Sequence, residues 1–103
     1  MTSPVYTATK ILGKKWTLEI LRGLFKSSGS KHFNELRKSL NGVSPKILSQ
    51  RLKEMWKFGL INRTVHTDSS PVGVSYSLTK KGWGLVQVLF SLEQWKMNFF
   101  VDI

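Results

Sequence analysis

A short helix, a turn and a longer helix, followed by a predicted β-hairpin, most limit the folds open to this chain. Phe33–Leu40 carries apolar residues at helical spacing, and the Asn-Gly-Val segment at residues 41–43 favours a turn because Asn and Gly tolerate positive φ. Ser44 is suited to cap a second helix and Pro45 to occupy its first position. This helix is predicted to run to about Phe58, which gives the order of a helix-turn-helix.

The segments on either side complete the prediction. Leu60–His66 is predicted to be a strand, and Val74–Leu78 alternates apolar and polar residues as a half-buried strand does. The turn-rich residues 67–73 join the two as a hairpin. Further helices are predicted at Pro4–Leu12 with Ser3 as its cap, at Lys15–Lys26, and from Thr79 to about Phe100.

We therefore expect a mainly α protein with a small β-hairpin, an α+β winged helix-turn-helix that forms one domain over residues 1–103. Residues 33–58 would form the helix-turn-helix and residues 60–78 the wing. The N- and C-terminal helices, in residues 1–26 and 79–103, are expected to provide the scaffold and a dimer interface.

Positive charge is unevenly distributed along the chain. The formal net charge is +10, and all of the excess lies in residues 1–67, whereas residues 68–103 are neutral. A local basic field of this kind suits a polyanion, so double-stranded DNA is the expected partner. No apolar run approaches the ~18 residues that suggest a membrane span, and no secretory signal is found. A cytoplasmic protein without a membrane partner is expected.

Enzymatic and cofactor chemistry have little support in the sequence. The chain has no Cys, which excludes thiol nucleophiles, disulfides and Cys-ligated zinc. Its two His and six acidic residues are scattered, without nucleophile–base pairing, metal-ligand spacing or a phosphate-binding glycine loop. We expect no enzymatic activity, no cofactor and no metal, and nothing in the sequence identifies an effector.

The helix predicted after residue 44 has two opposite faces. At about 100° per residue, Leu48, Leu52 and Met55 cluster on the side that would dock on the core. The opposite side is expected to contact phosphates and base edges in the major groove, through Lys46, Ser49, Gln50, Lys53 and Lys57. Gln50 is the best candidate for base readout, because an amide pairs with adenine at two positions, and Lys57 is expected to meet phosphate. The alternative is an ordinary solvated helix face.

Five further residues complete the expected DNA-binding set. Ser44 opens the recognition helix. Lys31, His32 and Asn34 lie at the entry to the preceding helix, where phosphate contact and simple capping are equal alternatives. His66 lies at the base of the wing, where a phosphate hydrogen bond and a plain exposed side chain are also both open.

The last predicted helix is apolar on two sides, and such a helix needs two partners. One partner would be its own domain and the other a second copy of the chain. The narrower stripe comprises Trp83, Val86, Phe90 and Met97. The wider stripe, together with Val5 near the N-terminus, is the predicted dimer interface, with Leu85, Val88, Leu89, Leu92, Trp95 and Phe99. The sequence leaves open the alternative that the narrower stripe faces the second copy.

Taken together, these segments resemble the HxlR-type family of bacterial and archaeal winged-helix regulators over Ser3–Trp95. The matching segments are Gly13-Lys14-Lys15-Trp16 with Ile20-Leu21, His32-Phe33-Asn34-Glu35-Leu36, Val43-Ser44, Leu48 to Glu54, Gly59 to Arg63, and Tyr76 to Gly82. The resemblance implies a dimer held by the first and last helices that binds palindromic operators.

Three departures from the family pattern bear on function. Many members carry Cys-Pro-Val near the start and sense oxidants or electrophiles with that thiol, whereas this chain has Ser3-Pro4-Val5. Val72-Gly73 stands where the wing often has Pro-Arg, and Lys14 replaces a Gly of the early motif.

The function expected is that of a sequence-specific, homodimeric transcriptional regulator on double-stranded DNA. A winged-helix protein-interaction module without specific DNA readout is the alternative. An RNA-binding protein is less supported, because no aromatic stacking set lies on an exposed strand.

Overall fold

The computed structural model describes residues 9–68, 70 and 72–99. After a helical segment at residues 9–12, it contains α1 (Thr17–Lys26), β1 (Ser30–His32), α2 (Phe33–Ser39), α3 (Pro45–Lys57), β2 (Ile61–His66), β3 (Gly73–Leu78) and α4 (Lys80–Phe99). This order confirms the predicted winged helix-turn-helix. Among the described helices, none is long and apolar enough to cross a membrane.

The sheet has three antiparallel strands in the order β1-β3-β2. Strands β2 and β3 form the predicted hairpin, with Ile61 opposite Leu78. Strand β1 was not predicted, because its Ser-Lys-His sequence shows no apolar alternation. It forms because the second edge of β3 offers main-chain partners, which pairs Ser30 with Ser77.

Helix α1 begins at Thr17, two residues later than predicted. The difference arises because Trp16 has a φ of +81°, a left-handed conformation that cannot continue a helix. The turn at residues 13–16 separates α1 from the helical segment at residues 9–12. That segment is the end of the predicted Pro4–Leu12 helix, whose beginning lies outside the described residues.

Helix α3 begins and ends as its sequence predicts. The Ser44 hydroxyl accepts a hydrogen bond from the Ile47 amide at 3.1 Å, and Gly59 follows the helix with a φ of +84°. The inner side chains of α3 pack against β2 and belong to a core of Ile20, Leu21, Leu24, Leu36, Leu48, Leu52, Met55, Leu60 and Ile61, each at most 1% exposed. Burial of each contributes about 1.5–3 kcal/mol, which fixes the orientation of α3.

Helix α4 is joined to the end of α3 at its first turn. The Thr79 hydroxyl donates to the Gly59 carbonyl at 2.6 Å and accepts from the Gly82 amide at 3.1 Å. Gly82 lies so close to the Leu60 carbonyl that a Cβ would collide with it. This close approach sets the path of α4 away from the sheet.

The burial of the apolar side chains of α4 changes along the helix and does not separate one stripe from the other. Val86 of the narrower stripe is buried, and Leu85 and Leu89 of the wider stripe pack partly against the same core. Trp83 and Phe90 meet the Phe25 ring edge-on at 5.6 and 5.0 Å between centroids. The exposed apolar side chains of both stripes include Val88, Leu92, Trp95, Met97 and Phe99.

Candidate nucleic-acid interface

The outward face of α3 carries the polar side chains that the helix wheel predicted. Its exposed members are Lys46, Ser49, Gln50, Lys53 and Lys57. Within the part of the chain that the structure describes, no hydrogen bond or ion pair engages these ammonium and amide groups. They are therefore available to an anionic ligand without first breaking an internal contact.

Arg51 lies off this face and has a structural role. Its guanidinium donates to the Glu54 carboxylate at 2.8 Å and to the Lys15 carbonyl at 2.9 Å. Glu54 also pairs with Lys14 at 2.7 Å. These contacts fasten α3 to the turn before α1, and they leave Arg51 unavailable to DNA.

At the entry to α2, the structure supplies the capping contact that was one of the two alternatives. The backbone N–H of His32 donates to Glu35 Oε1 at 3.2 Å, and His32 Nδ1 lies 3.1 Å from the same oxygen. The backbone hydrogen bond and then the imidazole lower the pKa of the Glu35 carboxyl. Asn34 is exposed beside this cap and Lys31 is half-buried.

The two imidazoles come together, which the sequence did not predict. The His32 and His66 rings lie 5.2 Å apart, and His66 Nε2 is 2.8 Å from the Ser75 hydroxyl. Cross-strand pairing explains the contact, because His32 lies opposite Ser75 in β1 and β3. The pair covers Ser75, which is 8% exposed, on the sheet face opposite Tyr76.

A groove of about 420 Å³ runs between α3 and the wing. It is lined by Ser49, Leu52, Lys53, Trp56, Arg63 and Tyr76. Arg63 and Trp56 were not among the predicted site residues. Alternation along β2 could have indicated Arg63, because it lies on the same face as the core residue Ile61 and opposite Tyr76.

Comparisons with known proteins agree with this architecture. Residues 11–102 match the HxlR-like helix-turn-helix family. The chain is 38% identical over 88 residues to the HTH-type transcriptional regulator YvaP of Bacillus subtilis, covering 85% of this chain and 79% of that protein. It is 33% identical over 99 residues to the HTH-type transcriptional regulator YodB of the same organism, covering 96% and 86%. The reduced form of YodB from B. subtilis superposes with a TM-score of 0.82 at 34% identity, covering 97% of this chain and 96% of that one.

Proposed function

Because this chain belongs to the HxlR-like helix-turn-helix family and is a DNA-binding transcriptional regulator, we propose that it acts as a homodimer on a palindromic operator. The observation that carries the proposal is the outward face of α3. It holds three ammonium groups and the Gln50 amide in line, opposite the apolar side that fixes the helix to the core. Such a helix fits the major groove, where phosphates position it and base edges specify the site.

We propose different roles for the DNA-facing residues according to their position along α3. Gln50 reads a base, whereas Lys53 and Lys57 towards the end of α3 contact phosphates. Lys46 and Ser49 lie on the same face, and Ser44 caps the helix while remaining exposed at its start. Lys31, His32, Asn34 and His66 form the neighbouring border at α2 and the wing, where the protein meets the DNA backbone.

We assign self-association to the ends of the chain. Leu85, Val88, Leu89, Leu92, Trp95 and Phe99 form the proposed contact on α4, and the predicted contribution of Val5 lies outside the described residues. Exposed apolar area of this kind is typical of a surface that a partner covers. Residues 1–26 and 79–103 would then form the dimer and scaffold region, residues 33–58 the helix-turn-helix and residues 60–78 the wing of a single domain. This regulator would work in the cytoplasm, on chromosomal DNA.

Selection of bound fragments from the host genome, followed by titration of the purified protein, tests the proposal. We expect an inverted repeat whose half-site centres are about 34 Å apart, one helical turn. A scrambled duplex should bind more weakly, and light scattering should show a dimer at micromolar concentration. A monomer with intact operator binding would contradict the dimer. Equal affinity for operator and scrambled duplex would contradict specific readout, and absence of binding to any duplex would favour an interaction module.

A further inference from the structure

We propose that the groove between α3 and the wing holds a DNA phosphodiester strand, with Arg63 as its principal phosphate ligand and Trp56 as the wall against which the strand lies. This inference rests on the proposed DNA-binding function and adds two residues to it. It separates the backbone contacts in the groove from the base readout on the outward face of α3.

The groove lies at the correct place for a backbone. Lys53 and Trp56 lie one helical turn apart on α3, on the flank that faces the wing. Arg63 projects from β2 on the opposite side of the groove, beside its cross-strand neighbour Tyr76. When α3 occupies a major groove and the wing lies beside it, the strand between the two grooves of the duplex must pass through this space.

The charged and polar residues that line the groove favour an anionic ligand. Among the described residues that line the groove are an Arg, a Lys, a Trp and two hydroxyl-bearing residues, and none of them carries a carboxylate. Within the described residues, neither the Arg63 guanidinium nor the Lys53 ammonium makes a hydrogen bond or an ion pair. The guanidinium can therefore hold a phosphate through two parallel N–H donors, the geometry that distinguishes Arg from Lys.

The shape favours a chain of phosphates over one small anion. A second groove of about 370 Å³ shares Ser49 and Tyr76 with the first and continues to His32 and Asn34. The two grooves therefore adjoin at Ser49 and Tyr76, and each has polar residues in its lining. A phosphodiester backbone presents anionic groups at regular intervals and can occupy both grooves, whereas a single carboxylate or phosphate would occupy one of them.

Titration of a labelled random-sequence duplex of about 30 base pairs, roughly three helical turns, tests the role of Arg63. We expect Arg63→Gln to lower affinity roughly tenfold and to flatten the log–log salt slope by about 0.9 per subunit. Lys26→Gln, which removes a charge lining neither groove, should change affinity by less than about threefold. Arg63→Lys should keep the salt slope and recover only part of the affinity, because it restores the charge without the paired donors.

The fluorescence of Trp56 gives an independent measurement of DNA contact in the groove. The chain has four Trp, and DNA should quench the fluorescence of Trp56. We expect most of the DNA-induced quenching to disappear in Trp56→Phe and to persist in Trp95→Phe. Thermal unfolding should be unchanged in Arg63→Gln, since this exposed side chain has no described partner to lose.

Different results would overturn the groove assignment and the proposed DNA-binding function. If the wild-type protein binds duplex DNA and Gln50→Ala alters its sequence preference, but Arg63→Gln behaves like Lys26→Gln, the groove assignment is wrong and the recognition helix stands. Quenching that survives in Trp56→Phe would also overturn the groove assignment. If the wild-type protein binds no duplex at all, both proposals are overturned.

Discussion

Helices α3 and α4 both carry exposed side chains, and the two exposed sets differ in kind. On α3 the outward groups are ammonium and amide groups, and the apolar side chains beneath them are fully buried. In the second half of α4, Leu92 is 56% exposed, Trp95 52% and Phe99 68%. One surface is suited to an anion, and the other is suited to an apolar partner.

This difference in charge would allow one protein to associate through α4 and to bind DNA through α3. The excess positive charge lies in residues 1–67, and residues 68–103 carry no net charge. A dimer joined through α4 therefore brings together neutral segments and avoids most of the repulsion that a basic interface would suffer. We therefore expect substitutions on α4 to alter association without altering DNA binding, and substitutions on α3 to do the reverse.

The largest effect is expected at Gly82, where α4 meets the rest of the domain. Gly82→Ala would push a Cβ into the Leu60 carbonyl, which is backbone and cannot rotate away. We expect a loss of about 3 kcal/mol in the free energy of unfolding, the upper end for overpacking. Gly84→Ala is the matched control, because nothing lies within 4 Å of its added Cβ, and it should stabilise the helix by up to about 1 kcal/mol. Urea unfolding measures both, and equal effects would contradict the close contact at Gly82.

The second test separates association from folding. Leu92→Glu places a charge on the exposed apolar half of α4, and a carboxylate there would have to be desolvated in a dimer. We expect dimerisation to weaken by about 2–3 kcal/mol, roughly thirtyfold or more in Kd, with little change in monomer stability. Sedimentation equilibrium measures the shift. Gln87→Glu, an exposed charge outside the apolar stripes of the same helix, should leave the dimer intact. Unchanged association of Leu92→Glu would remove this stripe from the interface.

The third test distinguishes base readout from phosphate contact on the outward face of α3. Gln50→Ala should cost about 1–3 kcal/mol on the operator and relax base preference at one position. Lys57→Ala should weaken operator and scrambled duplex equally and flatten the salt slope by about 0.9 per subunit. Titrations at several salt concentrations distinguish the two. If both variants lose the same affinity on both duplexes, the assignment of base readout to Gln50 is wrong.

Sequence reasoning succeeded where local rules decide the structure. The two faces of α3 and its Ser44 cap follow from helical periodicity and capping chemistry within one segment. Strand β1 and the His32–His66 contact depend on register between β1 and β3, which lie far apart in the chain, and no local pattern reports that register. The length over which α4 packs depends likewise on Phe25 of α1, which contacts Trp83 and Phe90.

A smaller effect is expected at the cap of α2. The pKa of Glu35 lies below its ordinary value, chiefly because the carboxylate accepts from the His32 N–H. A carboxyl with a lowered pKa stabilises the fold above its unfolded pKa, and that contribution is lost as pH falls through the folded value. The free-energy difference between wild type and Glu35→Gln should therefore shrink below about pH 5, the region where carboxyl groups titrate. Urea unfolding from pH 7 to pH 3 tests this, with Glu19→Gln as an exposed control. A difference that stays constant with pH would contradict the role of the carboxylate charge.

The smallest effect is expected from thiol oxidants, because neither surface of this protein contains a thiol. The family pattern that this sequence resembles often includes a Cys-Pro-Val segment, whereas this chain has Ser3-Pro4-Val5 and no Cys. Mild diamide treatment should therefore leave both operator affinity and dimerisation unchanged, since disulfide formation requires a thiolate. The measurement is a DNA titration before and after treatment, followed by dithiothreitol. A large loss that dithiothreitol restores would contradict the prediction. Slow oxidation of the three Met residues is distinguishable, because methionine sulfoxide is reversed by dedicated reductases and a simple dithiol would not be expected to restore it.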